Sequence, residues 1–243
     1  MRTTPPPDEA ASPDGRFSQF SFTIDDDVLG LGLHGVYFVM GGLTNKRGHD
    51  EFDELLGHTL DDLDDAVAKG HDLRMDPILM GYRDLHNAVG RSNRDHVASA
   101  ENLHRLIKMN GTIPHVNLLV DVQNLVSLKT RLAISSHDLR KVEGNVRLSL
   151  TTGQERFFPF ASPDPKEVHP GEYAYVDGAG EIICRMETRQ AASTRPKLAT
   201  SECFYIVQGN PAASAEYVWG AATELIAMTR YFCGGYQRTV HPA

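Results

Sequence analysis

Around Arg131 the chain changes its hydrophobic period, and that switch constrains the fold more than any other feature of the sequence. Upstream, apolar side chains recur every three to four residues, as on one face of a helix. Downstream they fall in short alternating or continuous runs broken by Gly, Pro and Asp, as in strands. Before the switch, Phe52, Leu55, Leu56, Leu60, Leu63 and Val67 predict an amphipathic helix from about Asp50 to Lys69, its acidic face toward water. "DPILMGYRDLHNAVG" predicts another, with Asp76 as N-cap, Pro77 at the first helical position and Gly90 at its close. A third covers about Ser99 to Met109 and ends at Gly111; a fourth, "NLLVDVQNLVSLKT", is capped by Asn117. "GVYFVM" (35–40) is an early strand. After the switch, "LAISSHDL", "NVRLSL", "RFFPF", "EYAYV", "EIICRM" and "CFYIVQG" predict strands, with a hairpin at "VDGAGEII". A last helix runs from Ala215 to Phe232, behind Ser214 and ahead of "GG" at 234–235. Helices, then strands, then a helix predict an α+β fold with an antiparallel or mixed sheet.

The 243 residues, 41% hydrophobic and 23% charged, suffice for one sizeable core. We expect a single domain over residues 17–235, a disordered lead-in at 1–16 ("MRTTPPPDEAASPDG") and a tail at 236–243. No apolar run approaches a membrane span, and the start lacks the basic head and apolar middle of a signal peptide. A cytoplasmic protein without a membrane partner is expected. Cys184, Cys203 and Cys233 show neither CxxC nor Cys/His metal spacing, so they predict buried free thiols; the eleven histidines form no HxH or HExxH, and we expect no metal and no cofactor. The net charge of −8 divides into −10 over residues 1–77, where "IDDD" and "DDLDD" lie, and +2 over 78–243. Nothing suggests the broad basic face of a DNA-binding protein, but the near-neutral remainder leaves an RNA partner open.

Three segments carry chemistry. In the fourth helix, Leu118, Leu119, Val122, Leu125, Val126 and Leu128 cover about half the circumference and Val120 lies opposite. Gln123, Asn124 and Ser127 flank Val120, and buried polar groups need partners, either in adjacent loops or in a ligand. In "SSHDL", an extended chain would project Ser135 and His137 to one side and Asp138 to the other; as a turn, Ser and Asp would bond local backbone. Adjacency in sequence does not make a catalytic triad, which is defined by geometry. "CRMETRQAASTRPK" sets Arg185, Arg189 and Arg195 among Thr188, Ser193 and Thr194, a composition suited to a carboxylate or phosphate ligand or to an exposed loop. There is no GxSxG, Walker loop or GxGxxG after a strand.

In order, "SAENLHRLIKMNGTIPHVNLLVDVQNLVSLKTRLAISSHDLRKVEGNVRL", "HPGEYAYVDGAGEIICR" and "STRPKLAT" resemble the editing domain of the phenylalanyl-tRNA synthetase β subunit, closest to its free-standing bacterial versions. The resemblance covers roughly residues 76–210. It implies a three-layer β/β/α sandwich, here with an extra N-terminal strand and helices, whose cleft accepts the 3′ end of a tRNA carrying an amino acid and hydrolyses a wrong aminoacyl ester. Asn124 matches an editing-pocket asparagine, Gln123 stands where the synthetase usually has threonine, and Ser135 aligns with the family's pocket histidine. His137 lies two positions on, a displacement that keeps the strand face. The family's glycine-rich pocket wall aligns with "METRQA", and its downstream glutamate falls near Ile206 to Gln208, where no acid stands. The resemblance thus implies a trans-acting aminoacyl-tRNA deacylase in which Asn124, Ser135 and His137 form the reactive end, and Gln123, Ser127, Arg185, Thr188, Arg189, Ser193 and Thr194 bind substrate. Two other outcomes use the same cleft: transfer of the amino acid to a small-molecule acceptor, or binding of the tRNA end or a small ligand without chemistry. Polar side chains in place of glycine predict that tyrosine is not the preferred amino acid.

Overall fold

The computed structural model describes residues 15–70, 72–160, 162 and 164–240. Helix α1 (Gly15–Gln19), β1 (Phe22–Ile24) and α2 (Asp26–Leu29) precede β2 (His34–Gly41), followed by α3 (Asp50–Ala68), α4 (Pro77–Ala88), α5 (Ser99–Asn110) and α6 (Leu118–Thr130). Then come β3 (Ala133–Asp138), β4 (Val146–Leu150), β5 (Tyr173–Val176), β6 (Ile182–Arg185), β7 (Arg189–Gln190), β8 (Cys203–Gly209), α7 (Ala215–Cys233) and β9 (Tyr236–Thr239). Four strands form an antiparallel sheet in the order β3-β8-β2-β9; five form a second sheet in the order β1-β4-β5-β6-β7, with β1 parallel to β4.

The four-stranded sheet is buried on both faces, which explains why β2 and β8 appear in the sequence as nearly continuous apolar runs. Phe38, Met40, Tyr205 and Val207 face the helices and meet Phe52 and Leu56 of α3, Leu118 to Leu128 of α6 and Leu225 of α7. The alternate residues Tyr37, Val39, Phe204 and Ile206 face the second sheet and pack on Phe22, Tyr175 and Ile183. The molecule is therefore an α+β sandwich of three layers: helices, sheet, sheet. The cap residues Asp76, Asn117 and Ser214 accept from Ile78 and Leu79, from Val120 and from Tyr217, as their spellings predict.

Several elements differ from expectation. "RFFPF" makes only the isolated bridges Arg156 to Glu181 and Pro159 to Ala191, because proline has no N–H for a ladder. Helix α5, by contrast, runs Ser99–Asn110, close to the expected Ser99 to Met109, behind an Ala98 N-cap that makes no side-chain bond. Tyr236–Thr239, in the expected tail, pairs with β2 as β9. Of the expected lead-in, residues 1–14 lie outside the described residues, as do 241–243 of the tail. The three cysteines are buried and free, and no helix among the described residues is long and apolar enough to cross a membrane.

Candidate functional site

A cleft of about 440 Å³ opens beside β3, the edge strand of the four-stranded sheet, between α5, α6 and the turn that joins β6 to β7. Its volume is in the range of small-molecule sites. The polar sector of α6 points there: Val120, Gln123 and Asn124 line the wall. The N-terminus of α6 is tied down by Asn117, which accepts from Asn45 Nδ2 at 2.8 Å and donates to the Pro196 carbonyl at 3.3 Å. At the other end Arg131 adopts a left-handed conformation (φ 59°), reversing the chain into β3. Ser127 lies on the same side of the helix but does not reach the cleft. Its Oγ donates to the Leu132 carbonyl at 2.6 Å and so fixes that reversal.

On β3, Ser135 and His137 share a face as the extended chain requires. Ser135 lines the cleft, with its Oγ 3.3 Å from His137 Nε2, while His137 Nδ1 is 2.9 Å from Thr194 Oγ1. His137 is wholly buried, and burial pushes its pKa down to about 3, so the imidazole is neutral. Asp138 points away and accepts from Thr200 Oγ1 at 2.6 Å. The series Ser135, His137, Thr194 is thus a neutral hydrogen-bonded chain, with no carboxylate bonded to His137 among the described residues.

The opposite region is charged. Met186 occupies the left-handed region (φ 48°), a conformation that costs a non-glycine residue about 1 kcal/mol. This turn directs Glu187 inward, where it is buried yet lines the cleft. The Glu187 carboxylate accepts from Tyr173 Oη at 2.6 Å and Gln208 Nε2 at 2.9 Å, and its other oxygen meets His86 Nε2. Gln208 is oriented in turn by Tyr175, whose hydroxyl donates to its Oε1 at 2.9 Å. His86 Nδ1 lies 3.0 Å from Asn93 Oδ1, while the Asn93 amide nitrogen is engaged by the Arg83 carbonyl and Asn87 Oδ1. With acceptors at both ring nitrogens, His86 is an imidazolium. Burial alone would lower its pKa, but the contact with Glu187 outweighs burial and the net shift is upward. Helix α4 brings His86 in close because Gly81 abuts the Asn210 side chain, which a Cβ would strike.

At the mouth Phe160, Arg189 and Arg195 are exposed, and the Arg195 guanidinium sits 4.6 Å from the centroid of the Phe160 ring. Among the described residues no group of three or more His, Cys, Asp or Glu is placed to hold a metal ion.

Residues 82–223, more than half of the sequence, match the B3/4 domain. The chain belongs to the B3/4 domain family. This is a domain found in the phenylalanyl-tRNA synthetase β subunit. Seventeen solved chains match. One, an N-terminal fragment of the phenylalanyl-tRNA synthetase β-subunit from Pyrococcus horikoshii, aligns with a TM-score of 0.53 at 13% identity. The alignment covers 96% of this chain and 54% of that fragment. At such identity the likeness carries the fold alone, and this chain spans about half of that fragment's length. No curated protein matches.

Within this B3/4 domain, Gln123, Asn124, Ser135, Thr188 and Arg189 come together on the cleft wall. His137 and Thr194 stand directly behind Ser135. The other three residues named from the sequence lie off the cleft lining. Ser127 bonds the turn after α6, and Ser193 donates to Glu181 at 2.5 Å. Arg185 is committed to Glu172 through two bonds of 2.7 and 2.8 Å and to the Glu167 carbonyl at 3.0 Å. Sequence reasoning missed Glu187 and His86. Glu187 of "METRQA" bonds Gln208, the last residue of the Ile206 to Gln208 stretch in which no acid stands. The only signal was that this segment aligns with the family's pocket wall.

Proposed function

We propose that this B3/4 protein is a trans-acting deacylase that hydrolyses the ester between an amino acid and the 3′ end of a mischarged tRNA. The observation that carries the reading is the polarity of the cleft. Its mouth offers an aromatic face and two guanidinium groups, suited to a terminal base and phosphate, and its closed end offers neutral and acidic hydrogen-bonding groups suited to an aminoacyl group. Kinship with a synthetase domain supports the same partner.

An aminoacyl ester is already activated, so orientation and charge stabilisation suffice. Water adds to the ester carbonyl carbon, the bond to the ribose oxygen breaks, and that oxygen leaves with a proton. In this reading Asn124, half-buried and facing the cleft, donates to the developing oxyanion. Ser135 holds the water, and its own hydroxyl is held by His137. With a pKa near 3 His137 takes no lasting proton at neutral pH and acts as a positioning residue. Arg189 and Thr188 contact the terminal nucleotide at the rim.

The weak basicity of His137 also favours a second reading, binding of the charged tRNA end without chemistry. A panel of charged tRNAs, correct and mischarged, separates the two. The deacylase reading expects at least one to lose its amino acid faster than in buffer, and tyrosine on tRNA(Phe) not to be the fastest. Binding without accelerated loss supports the second reading, while tyrosine hydrolysed fastest overturns the specificity. Product analysis with added metabolites distinguishes transfer to an acceptor from hydrolysis.

A further inference from the structure

On the cleft wall, a buried hydrogen-bonding group has no partner among the described residues. Gln123 is 5% exposed, it lines the cleft, and no described residue donates to its buried Oε1. Other polar groups on the cleft wall are already committed to one another. The Glu187 carboxylate is engaged by His86, Tyr173 and Gln208, and Gln208 Oε1 receives the Tyr175 hydroxyl. Gln123 has no counterpart of the bond that retires its helix neighbour Ser127 onto the Leu132 carbonyl. A buried acceptor without a donor is a standing cost to the fold, and a group that meets it only when bound recovers that cost as affinity and selectivity.

We propose that Gln123 is a specificity determinant that selects acyl groups bearing a hydrogen-bond donor, a hydroxyl or an amine, at the closed end of the cleft. The inference rests on the reading of the ligand as an aminoacyl ester. A group with the same shape and no donor strands Oε1 beneath it, and sites of this kind discriminate more strongly than apolar pockets distinguish one methylene. Two sources supply such a donor, the amino-acid side chain and the free α-amine.

The test uses the full-length protein, its Gln123→Met variant and non-hydrolysable 3′-aminoacylamino-adenosines in two matched pairs. Threonyl against valyl changes a side-chain hydroxyl for a methyl at constant shape. A free α-amine against the deamino acyl analogue, which has hydrogen in place of the amine, changes the other donor. Wild type should bind the donor-bearing member of one pair at least about tenfold more tightly, and Gln123→Met should bring that ratio to within about twofold. Because Oε1 has no partner among the described residues, the variant should keep or raise the melting temperature without ligand. A lower melting temperature, a ratio unchanged by the substitution, or no discrimination in either pair overturns the inference. Hydrolysis of charged tRNA without discrimination overturns this inference alone. Discrimination without any hydrolysis overturns the deacylase reading alone, and failure to bind any analogue overturns both.

Discussion

His86 on α4 and His137 on β3 are both buried beside one cleft, yet they carry different charges. His86 meets a carboxylate at one ring nitrogen and a carbonyl oxygen at the other, so it keeps two protons and a positive charge. Among the described residues His137 bonds only the Ser135 and Thr194 hydroxyls, and burial strips it of charge. The difference shows how one fold divides its tasks. The Glu187 side builds a rigid polar floor around a satisfied ion pair, while the Ser135 side keeps an uncharged chain that can present a hydroxyl to a ligand. The α6 wall between them supplies groups that are less fully engaged, Gln123 above all.

Removing one member of the ion pair is the strongest way to break this contrast. Glu187→Leu strands the His86 charge along with Tyr173 Oη and Gln208 Nε2, and unfolding free energy should fall by about 3–5 kcal/mol, measured by urea denaturation. Replacing His86 by Leu in the same protein should recover much of that loss. If the single substitution costs no more than an exposed pair, about 0–1 kcal/mol, the charged floor is not the rigid element described here.

The pH dependence of stability sharpens the contrast, since the two histidines act in opposite directions. An unfolded histidine titrates near 6.5. Because folded His137 is held down at about 3, the unfolded chain binds the proton first as pH falls, and stability drops by roughly 2 kcal/mol between pH 7 and 5. His137→Gln should flatten that fall. His86 is raised, so its contribution is complete below the unfolded value and is lost as pH rises through the folded one. His86→Gln should remove that alkaline loss. Thermal melts of both variants from pH 5 to 8 check the signs, and slopes altered in the same direction by both would contradict the assignment of charge.

The smallest effect separates a structural polar residue from those on the cleft. Ser127→Ala removes one bond to the Leu132 carbonyl and should cost about 1 kcal/mol of stability with no change in deacylation rate once the protein is folded. A large rate loss at intact stability would return Ser127 to the substrate-binding residues.

Most of the fold was legible because its period is local. The 3.6-residue spacing of α3, α4 and α6 and the caps at Asp76, Asn117 and Ser214 lie within short windows. The three-residue β1 and the polar "YQRT" of β9 have no such pattern and exist only through pairing with β4 and β2. At the site, Gln123 and Asn124 were visible as a polar sector on an apolar helix. Arg185 stood out as a ligand-binding charge because its partner Glu172 reaches it only across the β5–β6 pairing. Glu187 was hidden because its direction depends on the left-handed turn at Met186, which no residue type there signals. His86 looked like one histidine among eleven until α4 was set against that turn.

The central claim is that the α6 wall acts on an aminoacyl ester, and Asn124 bears on it most directly. Its half-exposed side chain faces the cleft, so Asn124→Ala should cost well under 1 kcal/mol of stability. The measurement is the single-turnover rate of deacylation, for wild type and this variant, on whichever charged tRNA wild type hydrolyses fastest. The account predicts a loss of about 10²–10³-fold at an unchanged melting temperature. Equal rates for the two proteins, or no charged tRNA hydrolysed faster than in buffer, would contradict it.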